Sequence, residues 1–283
     1  MNLDALRNHK FDPIVAPCTD KDVMLYALSL GVCNDPLDEK ELPFVYEKNL
    51  VMLPSMTAVL AYPGPWITNP AFEVNFVKLL HGEQRARFFK PLPATGEIRG
   101  EFEVQSVLDK GEGKGALVYF DKLLYDNKTG DHLATVTTGL FLRGDGGCGS
   151  FGDAPANLPK PPESAPDFVD EIPTSNRAAL LYRLNGDRNP IHGDPEIARK
   201  AGFEAPILHG LCTYGICGFS LLRNAFAYDT TKMGSLDLRF SAPVLPGETL
   251  IVEGWKTDSG VSFQAKVKER NIQVISNGFC ANA

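Results

Sequence analysis

The sequence predicts an α+β protein made of two repeats, in each of which helix precedes a run of antiparallel strands. Three observations predict it. Apolar residues recur at every second position over strand-length segments in both halves, a Gly/Pro-rich stretch divides the chain near its middle, and one block of residues recurs on either side of that stretch.

In the first half, Asp20–Ser29 begins with acidic residues and carries Val23, Leu25, Tyr26 and Leu28, which predicts a helix. Phe89-Lys90-Pro91-Leu92-Pro93-Ala94-Thr95-Gly96-Glu97-Ile98 reads as a strand, a Pro/Gly turn and a second strand. Val118, Phe120, Lys122 and Leu124 then alternate at strand spacing, and Val136-Thr137-Thr138-Gly139-Leu140-Phe141 closes the half as another strand. Between Gly144 and Pro173 five glycines are followed by Pro155, Pro159, Pro161, Pro162, Pro166 and Pro173. Prolines at that density exclude helix and central strand, so residues 146–171 are expected as a surface connector between 1–145 and 172–283.

The second half repeats the order. Ser175 stands as a cap-type residue before Ala178, Leu180, Leu181 and Leu184, predicting a helix over 175–184, and a longer apolar helix is expected over 210–226. Phe240-Ser241-Ala242-Pro243-Val244-Leu245-Pro246-Gly247-Glu248-Thr249 aligns without a gap on the block at Phe89, with Phe, Gly and Glu in register. Val261, Phe263, Ala265 and Val267 alternate as their first-half counterparts do, and Ile275-Ser276-Asn277-Gly278-Phe279-Cys280 closes the half.

Composition narrows the function. Against 35 Asp and Glu stand 28 Lys and Arg, a net charge of −7, and neither half holds the dense basic run that a nucleic-acid backbone requires. Apolar stretches are too short to span a membrane, and the polar N-terminus is unlike a secretion signal. The six cysteines form no C-x-x-C pair and have no histidine at finger spacing, so neither a disulfide framework nor a zinc site is expected.

Candidate chemistry concentrates in the second half. Gly186-Asp187-Arg188-Asn189-Pro190-Ile191-His192 sets a carboxylate and an imidazole five residues apart, with Pro190 bending the chain between them. Facing one water, the pair can serve as base and acid in one turnover; the same residues also fit an Asx turn with a helix cap. Further on, Pro206-Ile207-Leu208-His209-Gly210 stands where the apolar helix should begin. There the Gly210 N–H would be an unpaired donor at a positive helix end, able to bind an oxyanion. A plain loop-to-helix turn fits as well, with His209 a core histidine.

Tyr182-Arg183-Leu184-Asn185-Gly186-Asp187-Arg188-Asn189-Pro190-Ile191-His192 resembles the signature of the (R)-specific enoyl-CoA hydratase 2 and MaoC-like hydratases. The similarity continues through Ala201-Gly202-Phe203 and Pro206 to Thr213, and in the first half through His81-Gly82-Glu83-Gln84, Lys90-Pro91-Leu92-Pro93 and Val107-Leu108-Asp109-Lys110. Asn185 departs from the small or hydroxylated residue usual before the Gly-Asp pair.

The resemblance implies a double hot-dog fold, two antiparallel sheets each wrapped around a helix, with the first repeat diverged to hold an acyl chain. It implies that Asp187 and His192 hold a catalytic water, that Asn189 orients it, and that the Gly210 N–H polarises the thioester carbonyl. His81, Gly82, Lys110, Arg188, Pro190, Ile191 and Phe240 would then bind substrate, with Glu47 in support. For Lys110 a solvated turn lysine, and for Phe240 a core aromatic, are equally open. The implied reaction is reversible hydration of trans-2-enoyl-CoA to (3R)-3-hydroxyacyl-CoA, with no cofactor or metal because the thioester itself activates C2 and C3. A homodimer is also implied, in the cytoplasm, or in the peroxisome if the chain comes from a eukaryotic multifunctional enzyme. Two alternatives stay open: an acyl-CoA thioesterase and a non-catalytic acyl-CoA-binding protein of the same fold.

Overall fold

A computed structural model describes residues 1–283, with the side chain of Val77 set aside. Ten strands form one antiparallel sheet in the order β1-β3-β4-β5-β2-β7-β10-β9-β8-β6. The N-terminal half supplies β1 (Ile14–Cys18), β2 (Leu79–Phe88), β3 (Gly96–Asp109), β4 (Ala116–Asp126) and β5 (His132–Leu142). The C-terminal half supplies β6 (Phe168–Pro173), β7 (Ser235–Phe240), β8 (Thr249–Thr257), β9 (Gly260–Val267) and β10 (Ile272–Ala281). This is the expected double hot-dog, and both edge strands contain a proline, Pro17 in β1 and Pro173 in β6, which an edge tolerates and a central strand does not.

The halves meet where β2 pairs with β7. The alignment that sets Phe89 on Phe240 also sets Arg85 on Leu236 and Ala86 on Asp237. The register pairs Arg85 with Asp237 and Ala86 with Leu236, as a local twofold axis between them requires. The weak sequence repeat is therefore a structural one. Arg87 reinforces the seam by donating from Nη1 to both carboxylate oxygens of the buried Asp237, at 2.9 and 2.7 Å.

Five helices accompany the sheet: α1 (Leu3–Asn8), α2 (Asp20–Ser29), α3 (Ala178–Tyr182), α4 (Pro195–Lys200) and α5 (Gly210–Ala225). A capping box starts α2, with Thr19 Oγ1 accepting from the Asp22 N–H and Asp22 accepting from the Thr19 N–H. α5 is buried from Cys212 to Leu222 and lies in the core shared by both halves. Two glycines allow that depth. A side chain on Gly215 would come within 2.9 Å of Leu30 and the Tyr26 hydroxyl, and one on Gly218 within 2.8 Å of Leu236.

The helical layer differs from the expectation in the first repeat. The expected helix over Asp20–Ser29 is present as α2, but among the described residues 3₁₀ turns such as Pro54–Ala58 and Trp66–Thr68, rather than a long helix, lie against the sheet. Lys122 explains how coil is tolerated. In the predicted apolar row it aligns with Ala265, yet it is buried, and its ammonium donates to the carbonyls of Ala58 at 3.0 Å and Leu60 at 2.6 Å. Those carbonyls end a 3₁₀ turn and would otherwise be unsatisfied. Burial pushes the Lys122 pKa down to about 7.

Two further elements depart from their predicted bounds. The helix expected over 175–184 is confined to Ala178–Tyr182, because Ser175 Oγ accepts from the Arg177 N–H ahead of it and a 3₁₀ turn, Arg183–Asn185, follows. The last residues of the expected connector join the sheet as β6, paired with β8.

Candidate active site

The polar cluster sits where α3 gives way to loop. Gly186 ends the 3₁₀ turn with φ +116°, a conformation that favours glycine, and the chain turns into Asp187. Asp187 Oδ1 accepts from the Asn189 N–H at 3.1 Å, and Asn189 Oδ1 accepts from the Ile191 N–H at 3.2 Å, capping the 3₁₀ turn Pro190–His192. The Asx turn and the reactive pair are thus one structure: local hydrogen bonds fix the loop that brings the carboxylate to the imidazole.

Asp187, His192 and His209 place one donor atom each within 4.8 Å of one another. His192 is buried, and its Nδ1 lies 2.8 Å from the Ile207 carbonyl oxygen. A carbonyl only accepts, so Nδ1 carries the proton and Nε2 presents a lone pair. His209, the residue just before α5, stacks on His192 with centroids 3.7 Å apart and donates from Nε2 to the Asp187 carbonyl oxygen at 3.1 Å. It is no ordinary core histidine. It backs the His192 imidazole and ties α5 to the Asp187 loop, a placement its sequence position alone does not disclose. Two near-parallel rings direct their lone pairs along neighbouring planes and cannot both meet one ion at the roughly 2.1 Å that metal–imidazole bonds need, so we assign no metal to this set.

Burial lowers the pKa of His192, and burial followed by the neighbouring His192 lowers that of His209 to about 4. Both imidazoles are neutral near pH 7.

The N-terminal half closes the site. His81 on β2 meets Phe240 on β7 edge-on, with centroids 4.9 Å apart, and its Nε2 is buried without a partner. Desolvation lowers its pKa to about 4. Gly82 occupies the register shift between His81 and Glu83. A Cβ on Gly210 would lie 3.2–3.5 Å from the Phe240 ring, so Phe240 neighbours both Gly210 and His81. As the first residue of α5, Gly210 has no helical carbonyl for its N–H, which stays available to a ligand oxygen.

The other expected residues lie apart. Arg188 and Pro190 are exposed on the Asp187 loop, Ile191 is half-buried beside them, and Lys110 is exposed at the tip of the β3–β4 hairpin. Glu47 stands in an exposed bend and has no hydrogen-bonding side-chain partner among the described residues. Burial raises the thiol pKa of Cys18 to about 11 and of Cys217 to about 12, which disfavours the thiolate at both.

The histidines predict a pH response. His81 and His209 fall to about 4 when folded from 6.5, so the unfolded chain takes up protons first as pH drops. Their contribution to stability should be whole above pH 6.5 and lost progressively towards pH 4. Thermal unfolding followed across that range should show a falling Tm; a Tm flat from pH 7 to 4 would contradict this account.

Comparison with known proteins extends these observations. A family model described as "MaoC like domain" matches residues 157–278, and one described as "MFE-2 hydratase 2 N-terminal domain" matches residues 17–144. The chain is 36% identical to "Enoyl-CoA hydratase 2, peroxisomal" of Arabidopsis thaliana over 97% of its own length and 94% of that protein's. The crystal structure of a MaoC-like dehydratase from Phytophthora capsici superposes with a TM-score of 0.88 at 32% identity, covering 100% of this chain and 99% of that one. A Mycobacterium tuberculosis protein described as having a double hotdog fold superposes at 0.59 with 14% identity, covering 97% of each chain, a likeness of fold alone.

Proposed function

Because this chain belongs to the MaoC-like enoyl-CoA hydratase 2 family, we propose that Asp187 and His192 hold the water it adds to C3 of a trans-2-enoyl-CoA, giving the (3R)-3-hydroxyacyl thioester. It is an enoyl-CoA hydratase, a hydro-lyase of fatty-acid metabolism. The observation that carries the site assignment is the convergence of the Asp187, His192 and His209 donor atoms within 4.8 Å of one another, with Gly210 following His209 directly.

The chemistry follows from what the two catalytic groups lack. The Asp187 carboxylate and the neutral His192 Nε2 are both acceptors, so a water between them donates both hydrogens and turns a lone pair outward. That lone pair forms the C3–O bond, the C2–C3 π electrons move towards C1, and negative charge gathers on the thioester oxygen. The Gly210 N–H binds that oxygen more strongly as charge develops, which lowers the barrier rather than the ground state. The pair takes one proton from the water and returns one to C2, ending as it began. His81 and Phe240 wall the reacting carbons, Asn189 shapes the loop, and Arg188, Pro190 and Ile191 border the entrance.

We assign the acyl chain to the half formed by 1–145, the chemistry to 172–283, and the CoA phosphates to Lys110 as a point charge. Mixing the protein with trans-2-decenoyl-CoA should bleach the conjugated thioester absorbance without freeing thiol. Free CoA would indicate a thioesterase, and binding without bleaching a non-catalytic acyl-CoA protein; either removes this reading.

We also propose a homodimer. Its support is the exposed apolar set Leu28, Leu180, Leu181 and Leu184 on and beside α2 and α3, rather than the sheet edges, which their prolines blunt. Light scattering at micromolar concentration should give twice the chain mass, and a monomer mass would refute it. No helix among the described residues is long and apolar enough to cross a membrane. We place the protein in the cytoplasm of a bacterial cell or the peroxisomal matrix of a eukaryotic one, which cell fractionation tests.

A further inference from the structure

The glycine cluster that opens the connector folds back onto the tip of the β3–β4 hairpin, and one carboxylate holds it there. Asp109 Oδ1 accepts from the N–H groups of Gly111 at 2.9 Å and Gly147 at 2.8 Å, and Oδ2 accepts from the Gly149 N–H at 2.8 Å. The Asp109 N–H in turn donates to Ser150 Oγ at 2.9 Å, and Val107 and Phe151 exchange backbone hydrogen bonds at 2.9 and 3.0 Å.

The glycines are required by this contact. A side chain on Gly146 would run into the Gly111 carbonyl and one on Gly152 into the Gln105 carbonyl, while Gly147 and Gly149 have φ of +83° and +87°. A sequence stretch that reads as flexible linker is therefore a backbone clasp around one acid.

Lys110 follows that acid directly and is exposed at the tip of the hairpin. The ladder runs from Asp109 to Ala116, Leu142 and Leu79, so the tip lies at the end of the sheet where β2 begins, two residues before His81. Three strand spacings of about 4.8 Å separate the two, a span that a pantetheine arm bridges. Lys78, Lys114 and Arg143 flank the same edge, and none of the four cations joins an ion pair with an acid among the described residues. Three N–H donors occupy the oxygens of Asp109 and favour its charged form, so the carboxylate is engaged with the glycine backbone rather than paired with Lys110.

We propose that Asp109 is a positioning residue: by clasping Gly111, Gly147 and Gly149 it sets the hairpin tip so that Lys110 meets the phosphates of CoA. The inference rests on the assignment of Lys110 above. The clasp fixes the backbone on both sides of Lys110, so the lysine gives up less freedom when a phosphate arrives.

The test compares trans-2-decenoyl-CoA with the trans-2-decenoyl thioester of pantetheine, which has the reacting group but no phosphates. The readout is the ratio of kcat/KM for the CoA thioester to that for the pantetheine thioester. Lys110→Ala should lower this ratio about fivefold, the scale of one exposed ion pair. Asp109→Asn replaces one acceptor by a donor facing a glycine N–H, and it should lower the ratio in the same direction. The double variant should fall no further than Lys110→Ala alone, because both act through one contact. Gly147→Ala strains the clasp without altering charge and should lower the ratio too, which keeps the test open if Asp109→Asn folds poorly.

If Asp109→Asn and Gly147→Ala depress both substrates equally, Asp109 is merely structural and the proposal falls while Lys110 keeps its assignment. If Lys110→Ala leaves the ratio unchanged, the assignment of Lys110 fails first and the proposal with it.

Discussion

Asp187→Asn should lower kcat for hydration of trans-2-decenoyl-CoA by about a hundredfold or more, the scale of losing a positioned acid or base, and His192→Gln should do the same. The substitution is conservative in every respect but the chemical one. Asn at this position keeps an oxygen for the Asn189 N–H that Asp187 now satisfies at 3.1 Å, so the loop should hold and Tm should change little. What disappears is the charge that we propose takes a proton from water. Gln in place of His192 can still donate to the Ile207 carbonyl, but it has no titratable nitrogen. The double variant should be little worse than either single one, because the pair acts on one water. Steady-state kinetics with circular dichroism as a folding control measures all three. Near-full turnover in either single variant would remove the paired-acceptor mechanism.

Gly210→Pro should lower kcat about a hundredfold to a thousandfold, as loss of one oxyanion donor does. The backbone is ready for it. Proline is favoured at the first position of a helix, where its missing N–H breaks no helical bond, and His209 before it has φ −59° and ψ 134°, which a following proline accepts. The added Cβ would press on the Phe240 ring at 3.2–3.5 Å, and Gly210→Ala applies the same pressure while keeping the N–H. The alanine variant is therefore the control. A large loss in proline with a small one in alanine assigns the effect to the N–H, whereas equal losses would mean that Gly210 serves only as space for Phe240.

Much of this site is legible in the sequence because its parts are local. Gly186, Asp187, Asn189, Pro190 and His192 fold as one loop whose hydrogen bonds span two or three residues, and spacing alone brings the acid to the imidazole. The α5 start is equally local, and the helix begins at the expected Gly210. His209 is less legible, since its stacking on His192 depends on how α5 returns to the loop. Its one signal in the sequence is its place directly before Gly210, the proposed oxyanion donor.

In the fold, periodicity marks β4, β5, β9 and β10 and the repeated block marks the two halves that the twofold relates, because both reflect burial against a single sheet, whereas β1 and β6 carry no such mark. Periodicity does not disclose that 3₁₀ turns, rather than a long helix, lie against the sheet of the first repeat. The residue that compensates, Lys122, stands in an apolar row and breaks its pattern for a reason visible only once the Ala58 and Leu60 carbonyls are in place. Likewise, the glycines from Gly144 to Gly152 suggest a linker by composition, whereas their close contacts with the hairpin are tertiary.

The central claim is that one face of the enoyl group receives water from Asp187 and His192. The direct measurement is the configuration of the product. Trans-2-decenoyl-CoA is hydrated to equilibrium, and the alcohol is oxidised with a dehydrogenase specific for either the (3R) or the (3S) thioester. The account predicts that the (3R) enzyme consumes all of the product, and that Asp187→Asn forms it at least about a hundredfold more slowly. Consumption by the (3S) enzyme, or a racemic product, would place the water on the wrong face or in no fixed position, and either would contradict the site described above.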